Sequence, residues 1–106
     1  MTIRERINEA IHISNAKEFD TAHKLYNEIR QDAPNNKRAL YCQAVNLYNM
    51  SYHSEHGDSD ALKKCIWCCK LYVKDEPPNR HMKVKNLALM AYQALLFLES
   101  EIWIEA

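Results

Sequence analysis

Phe19-Asp20-Thr21-Ala22-His23-Lys24-Leu25-Tyr26-Asn27-Glu28-Ile29-Arg30-Gln31-Asp32-Ala33-Pro34-Asn35-Asn36 is the stretch that decides the fold. Phe19, Ala22, Tyr26 and Ile29 recur at steps of three and four, which places them on one face of an α-helix. Pro34 stops that helix, because its ring nitrogen donates no hydrogen bond and it biases Ala33 away from helical dihedrals. The spacing therefore predicts a helix over 18–32, closed by Ala33-Pro34-Asn35-Asn36.

Upstream, Ile3, Ile7, Ala10, Ile11 and Ser14 share a face over 3–15, with Arg4, Glu5, Glu9 and His12 on the wetter side. Downstream, Asn36 is placed to cap a helix over 37–53. Leu40, Ala44, Leu47 and Ser51 form one stripe on it; Tyr41, Val45, Tyr48 and Tyr52 form another. A helix apolar on two sides has neighbours on two sides, so this one is expected at the centre. Ser54–Ser59 is a polar loop, with Asp58 or Ser59 as the cap of a helix over 60–75. Ala61, Leu62, Cys65, Ile66, Cys69, Tyr72 and Val73 are its apolar face, and Glu76-Pro77-Pro78 ends it. Asn79 is read as the cap of a last helix over 80–104, about 37 Å long at the usual rise per residue. Its main stripe is Val84, Leu87, Ala88, Ala91, Ala94, Leu95 and Leu98; a second runs through Leu89, Tyr92, Leu96 and Trp103, with Met90 and Phe97 beyond it.

The totals agree with this all-helical reading. With one glycine and three prolines in 106 residues, the chain cannot supply many hairpins. The expectation is a single all-α domain over 1–106, built as antiparallel helical hairpins of about five helices. Formal net charge is zero, which argues against a nucleic-acid binder that relies on bulk attraction. No apolar run is long enough for a membrane span, and Met1-Thr2-Ile3-Arg4-Glu5-Arg6 lacks a signal-peptide core. A cytoplasmic protein with no membrane partner is expected, its four cysteines reduced.

Ala22, Tyr26 four residues on, and Pro34 twelve residues after Ala22 together resemble the second helix of a tetratricopeptide (TPR) repeat. Ala10 falls at the small position of the first helix, whereas Arg6 and Glu9 stand where the family favours Trp and Leu. Cys65, Cys69, Tyr72 and Pro77 suggest a second, degenerate repeat. The resemblance implies a protein-binding role, with first helices lining a concave groove and Tyr41, Tyr48, Asn49 and Tyr52 near a bound peptide. Some TPR domains hold a terminal carboxylate with Lys, Asn and Arg; the corresponding places here are Ile7, Ile11 and Cys42, which do not support that mode.

Three other clusters carry possible chemistry. Cys65, Cys68 and Cys69 lie at helical spacing, so two thiolates could share a metal, completed by Cys42 or by His53, His56 or His81. Mid-helix cysteines on an apolar face pack as small hydrophobes, and that reading, with no metal and no cofactor, is preferred. Lys63, Trp67, Lys70 and Lys74 share a face opposite the apolar stripe and could meet an anion, nucleic acid or an acidic partner. The tyrosines at helical spacing are equally well explained as core residues with hydroxyls reaching water. Leu89, Tyr92, Leu96, Phe97 and Trp103 cannot all face inward, which predicts self-association through the last helix, most simply as a homodimer. Paired carboxylates, a Ser/His/Asp pattern and a Gly-rich phosphate loop are all missing, so no enzymatic activity is expected. The leading expectation is a small protein–protein interaction module, an adaptor, chaperone-like or inhibitory binder. The alternative is an anion or nucleic-acid binder using the lysine–tryptophan face. A third is a virus- or mobile-element-encoded inhibitor that occludes a larger protein.

Overall fold

The computed structural model describes residues 1–77 and 80–105, with side chains described as far as Ser100. Five helices follow one another: α1 (Ile3–Asn15), α2 (Phe19–Asp32), α3 (Lys37–Tyr52), α4 (Ser59–Val73) and α5 (Met82–Glu105). Among the described residues there is no strand. Each helix packs on the next.

Local chemistry sets the helix starts. Thr2 Oγ1 accepts from the Glu5 amide at 3.1 Å while Glu5 Oε1 accepts from the Thr2 amide at 3.2 Å, a reciprocal capping box. Asn36 Oδ1 accepts from the Ala39 amide at 3.0 Å, and Asp58 Oδ1 from the Ala61 amide at 3.0 Å. Asp58 is therefore the cap of α4, which begins at Ser59. The last two helices depart from the expected bounds for a backbone reason. Asp75 (φ 66°) and His81 (φ 60°) are left-handed, so α4 stops at Val73 and α5 starts only at Met82. The expected Asn79 cap and the role of Pro78 lie outside the described residues.

Lys17 (φ 65°) bends the α1–α2 turn in the same left-handed way. The chain thus spends its one glycine elsewhere, at Gly57 (φ 75°), for a second reason: a Cβ there would sit 2.7 Å from Leu98 Cδ1. The 53–58 loop lies directly against α5 at that point.

Two apolar clusters meet on α3. Ile7, Ala10, Ala22, Tyr26, Ile29 and Ala39 form one, between α1, α2 and the start of α3. Ala10, Ala22 and Ala39 are fully buried, so the small residues sit where helices approach closely. Ala44, Leu47, Ala61, Leu62, Cys65, Cys68, Cys69, Val84, Leu87, Ala91 and Leu95 form the other, between α3, α4 and α5. The inward stripe read on α5 is buried or half-buried throughout.

A polar seam runs between α2 and α3. Gln43, 1% exposed, receives Arg30 Nη1 at 3.0 Å on its carbonyl oxygen and donates from its amide to Asn27 Oδ1 at 2.8 Å. The same Nε2 lies 3.3 Å from His23 Nδ1. Asn46, fully buried, donates to the Phe19 carbonyl at 3.0 Å. These pairs fix the α2–α3 register, because an unpaired buried amide costs about 1–3 kcal/mol.

The odd helices also touch: α1 meets α3 and α5 meets α3, while α2 and α4 do not meet. The molecule measures 49 × 34 × 19 Å, and its thinnest dimension is about two helix diameters. It is a two-layer array, α1, α3 and α5 on the tighter side and α2 and α4 on the wider.

Candidate functional site

The tighter layer leaves one strip of α3 uncovered between α1 and α5. At 100° per residue, Arg38, Tyr41, Val45, Tyr48, Asn49 and Tyr52 fall within one quadrant or so of the helix, away from the buried Leu40, Gln43 and Leu47. Tyr41, Tyr48 and Asn49 are half-buried, and Tyr52 is 72% exposed. This is the tyrosine stripe singled out from the sequence, and it forms a wall rather than a core.

Three cavities open along it. Toward the C-terminal end of α3, Tyr48, Ser51 and Tyr52 face Ala94, Phe97 and Leu98 across about 450 Å³, with Gly57 in the loop wall. Toward α1, Tyr41, Cys42, Val45 and Asn49 face Ile11, Ser14 and Asn15 across about 260 Å³. At the N-terminal end, Arg38 and Tyr41 face Tyr72, His81, Met82, Lys83 and Val84 across about 430 Å³.

Aromatic contacts hold both ends in place. Tyr48 and Tyr52 stack with centroids 6.4 Å apart, Tyr52 meets His53 edge-on at 5.2 Å, and His53 stacks on Phe19 at 5.6 Å. At the other end Tyr72 lies edge-on to Tyr41 at 6.4 Å and to His81 at 5.0 Å, with the Lys37 amine 5.2 Å above its ring. Glu76 accepts from Lys37 and lies 3.4 Å from His81 Nε2; those hydrogen bonds, the one to Lys37 foremost, pull its carboxyl below the ordinary range. Arg38 Nη2 donates to Asn8 Oδ1 at 2.7 Å, tying α3 to α1.

The other candidate residues fall on two separate surfaces. Lys63, Trp67, Lys70 and Lys74 are all exposed on the far side of α4, in the opposite layer; Trp67 is 61% exposed and α5 does not cover it. Leu89, Tyr92 and Leu96 lie along the outer face of α5, 45–55% exposed. Phe97 sits on a different flank, in the cavity with Tyr48 and Tyr52, so it belongs to the groove. The Trp103 side chain lies outside the described residues.

The cysteines are packed. Cys65, Cys68 and Cys69 are each no more than 2% exposed, in the α3–α4–α5 cluster. A hydrogen bond to Cys69 and burial push the Cys65 thiol up; burial pushes Cys68 up to about 11 and also raises Cys42. The same hydrogen bond from Cys65 lowers Cys69, whereas Cys42, Cys65 and Cys68, disfavoured as thiolates, are poor nucleophiles and poor ligands. Among the described residues, no three His, Cys, Asp or Glu side chains converge in a way that could hold a metal ion.

Sequence reading missed the cation end of the groove: Arg38, Tyr72, His81 and Lys83. A signal was available. The first turns of α1, α2 and α4 carry Glu5, Asp20 and Asp60, whereas α3 and α5 begin without an acid and with Lys37-Arg38 and Lys83. The buried Gln43 and the fully buried Asn46 have no counterpart in the sequence reading.

Compared with models of known protein families, with curated proteins and with solved structures, the chain finds no match. What fold and geometry define is a class: an all-α, two-layer helical domain with an aromatic groove along its central helix. No described helix is long and apolar enough to cross a membrane.

Proposed function

We propose that this chain is a protein–protein interaction module that holds a partner segment against the inner face of α3. The observation that carries it is the string of three cavities, each walled by a tyrosine of that one helix. Tyrosines held by neighbouring rings offer large contact area at little cost in side-chain entropy, and their hydroxyls pair with a peptide backbone. The TPR-like reading supports the same face, since first helices would line the groove and α1, α3 and α5 occupy that layer.

The test uses random 12-residue peptides displayed on phage and selected on the folded protein. Tyr48→Ala and Tyr52→Ala are expected to weaken the selected peptides at least about tenfold, and Trp67→Ala to leave them unchanged. The reverse pattern moves the function to the far side of α4. A selection that yields no binder overturns the reading.

The exposed Trp67 among Lys63, Lys70 and Lys74 favours one second reading, an anion or single-stranded nucleic-acid contact on that face. Binding of a fluorescent oligothymidylate that falls steeply with salt and is lost in Trp67→Ala would establish it. The exposed Leu89, Tyr92 and Leu96 support a second copy of the chain as a further partner, through a two-fold contact of α5. Sedimentation at micromolar concentration tests this: a dimer that Leu89→Glu with Leu96→Glu converts to monomer is expected, and a monomeric parent rules it out.

A further inference from the structure

The two ends of the groove differ in chemistry. At the Tyr48–Tyr52 end the wall is aromatic and aliphatic, completed by Phe97 and Leu98, and its polar side-chain groups are uncharged hydroxyls of Ser51, Ser54 and the two tyrosines. At the Tyr41 end the wall carries Arg38, Lys83 and His81 around the Tyr41 and Tyr72 rings. No carboxylate among the described residues lines either cavity. Among the described residues, neither Arg38 nor Lys83 has a carboxylate within ion-pair distance; Asp32, Asp60 and Glu55 pair elsewhere, and Glu76 is engaged by Lys37 and His81. Two permanent cations thus border an aromatic cavity, and the Glu76 carboxylate behind its lining His81 is taken by His81 and Lys37. Tyr41 and Tyr52 are eleven residues apart on one helix, which at the usual rise per residue sets the ends about 16 Å apart.

We propose that the groove selects a partner segment by polarity: an acidic side chain held by Arg38 and Lys83, about 16 Å from a large apolar side chain held between Tyr48, Tyr52 and Phe97. This rests on the groove being the binding face, and it adds what that face reads. In an extended segment the two side chains lie four or six residues apart, since each residue spans about 3.3 Å and only an even separation keeps both on one face. The apolar cavity supplies burial, and the cation end supplies orientation, because a reversed segment would set its acid against Phe97 and its apolar side chain against two charges.

The selected phage peptides provide the test, resynthesised with amidated C-termini so that the only carboxylates are side chains. They are expected to pair Asp or Glu with Trp, Phe or Leu four or six positions away. Replacing that acid by Asn or Gln, or Lys83 by Ala, should weaken binding at least about tenfold, and both changes together little more than either alone. Arg38→Glu with Lys83→Glu should recover affinity for the peptide whose acid is changed to Lys. Lys83 makes no ion pair among the described residues, so Lys83→Ala tests the site without disturbing the fold. If selected peptides lack an acid, or bind Lys83→Ala as tightly as the parent while Tyr48→Ala still weakens them, the polarity inference fails and the groove stands. If Tyr48→Ala and Tyr52→Ala have no effect, both fail.

Discussion

Around α3 the two sides of the molecule are sealed to different degrees. On the α1–α2 side, Ile7, Tyr26 and Ile29 are each 1% exposed over three fully buried alanines. On the α4–α5 side, Trp67, Met82, Leu89, Met90, Tyr92, Leu96 and Phe97 are all 45% exposed or more, although the core beneath them is larger. Tyr26 and Tyr92 show the contrast in one residue type: the first is 1% exposed and the second 52%. The N-terminal hairpin uses its apolar residues to hold itself to α3. The C-terminal helices use part of theirs for that and present the rest outward. Exposed apolar surface is thus concentrated on α4 and α5, and the contrast can be broken by measurement.

The largest effect is expected at Tyr26. Tyr26→Ala should empty the centre of the N-terminal cluster and cost about 3–5 kcal/mol, read from the urea midpoint. Leu89→Ala on the outer face of α5 should fall within about 0.5 kcal/mol of the parent. Similar costs at the two sites would erase the contrast. Hydrogen exchange on Tyr26→Ala sharpens it further: protection should drop in α1 and α2 before α4, unless the Gln43 seam locks the halves into one unit.

Ala22→Leu comes next. Ala22 is fully buried against α1 and α3 with Ala10 and Ala39, so added methylenes overpack the crossing and cost about 1–3 kcal/mol. An unchanged midpoint would mean the helices part easily there.

A smaller effect is carried by pH. Burial first, and then the Lys64 charge, lowers His23 from its ordinary value of 6.5. The unfolded chain takes up this proton near pH 6.5 and the folded chain only at lower pH, so folding stability should decline as pH falls below about 6.5. His23→Gln is expected to flatten that slope. An unchanged slope would remove His23 as the titrating member of the seam.

The smallest expected effect is none at all. Dialysis against a chelator should leave the melting temperature unchanged, because Cys65, Cys68 and Cys69 are buried as thiols beside Leu62 and Leu87. Stoichiometric zinc, with loss of helicity on its removal, would reverse that reading and make the C-terminal half a metal-held unit.

The faces of the helices were legible in the linear pattern, because a 3.6-residue period shows which residues point together. Spacing alone puts Phe19, Ala22, Tyr26 and Ile29 on one face, and Val84, Leu87, Ala91 and Leu95 on another. Periodicity does not say which neighbour a face meets. Phe97 therefore looked like part of the outer α5 surface until the 53–58 loop and Tyr52 were found beside it. The polar seam was hidden for a related reason. Gln43 and Asn46 are polar residues among apolar ones, and their partners arrive only with α2: His23, Asn27 and Arg30 for Gln43, and the Phe19 carbonyl for Asn46.

The sequence by itself determined the number of helices, the Asn36 and Asp58 caps and most of the apolar residues each helix buries, since these depend on contacts within a few residues along the chain. Tertiary structure decided the left-handed turns at Asp75 and His81 that shorten α4 and delay α5, because Asp and His tolerate such dihedrals without requiring them. It also decided which tyrosines form a wall and which a core: Tyr26 and Tyr48 have the same helical spacing signal, but α1 and α3 close over the first, while α1 and α5 stop short of the second. The cation end of the groove needed Arg38 and Lys83, forty-five residues apart in the chain, to be brought to one cavity by the packing of α5 against α3.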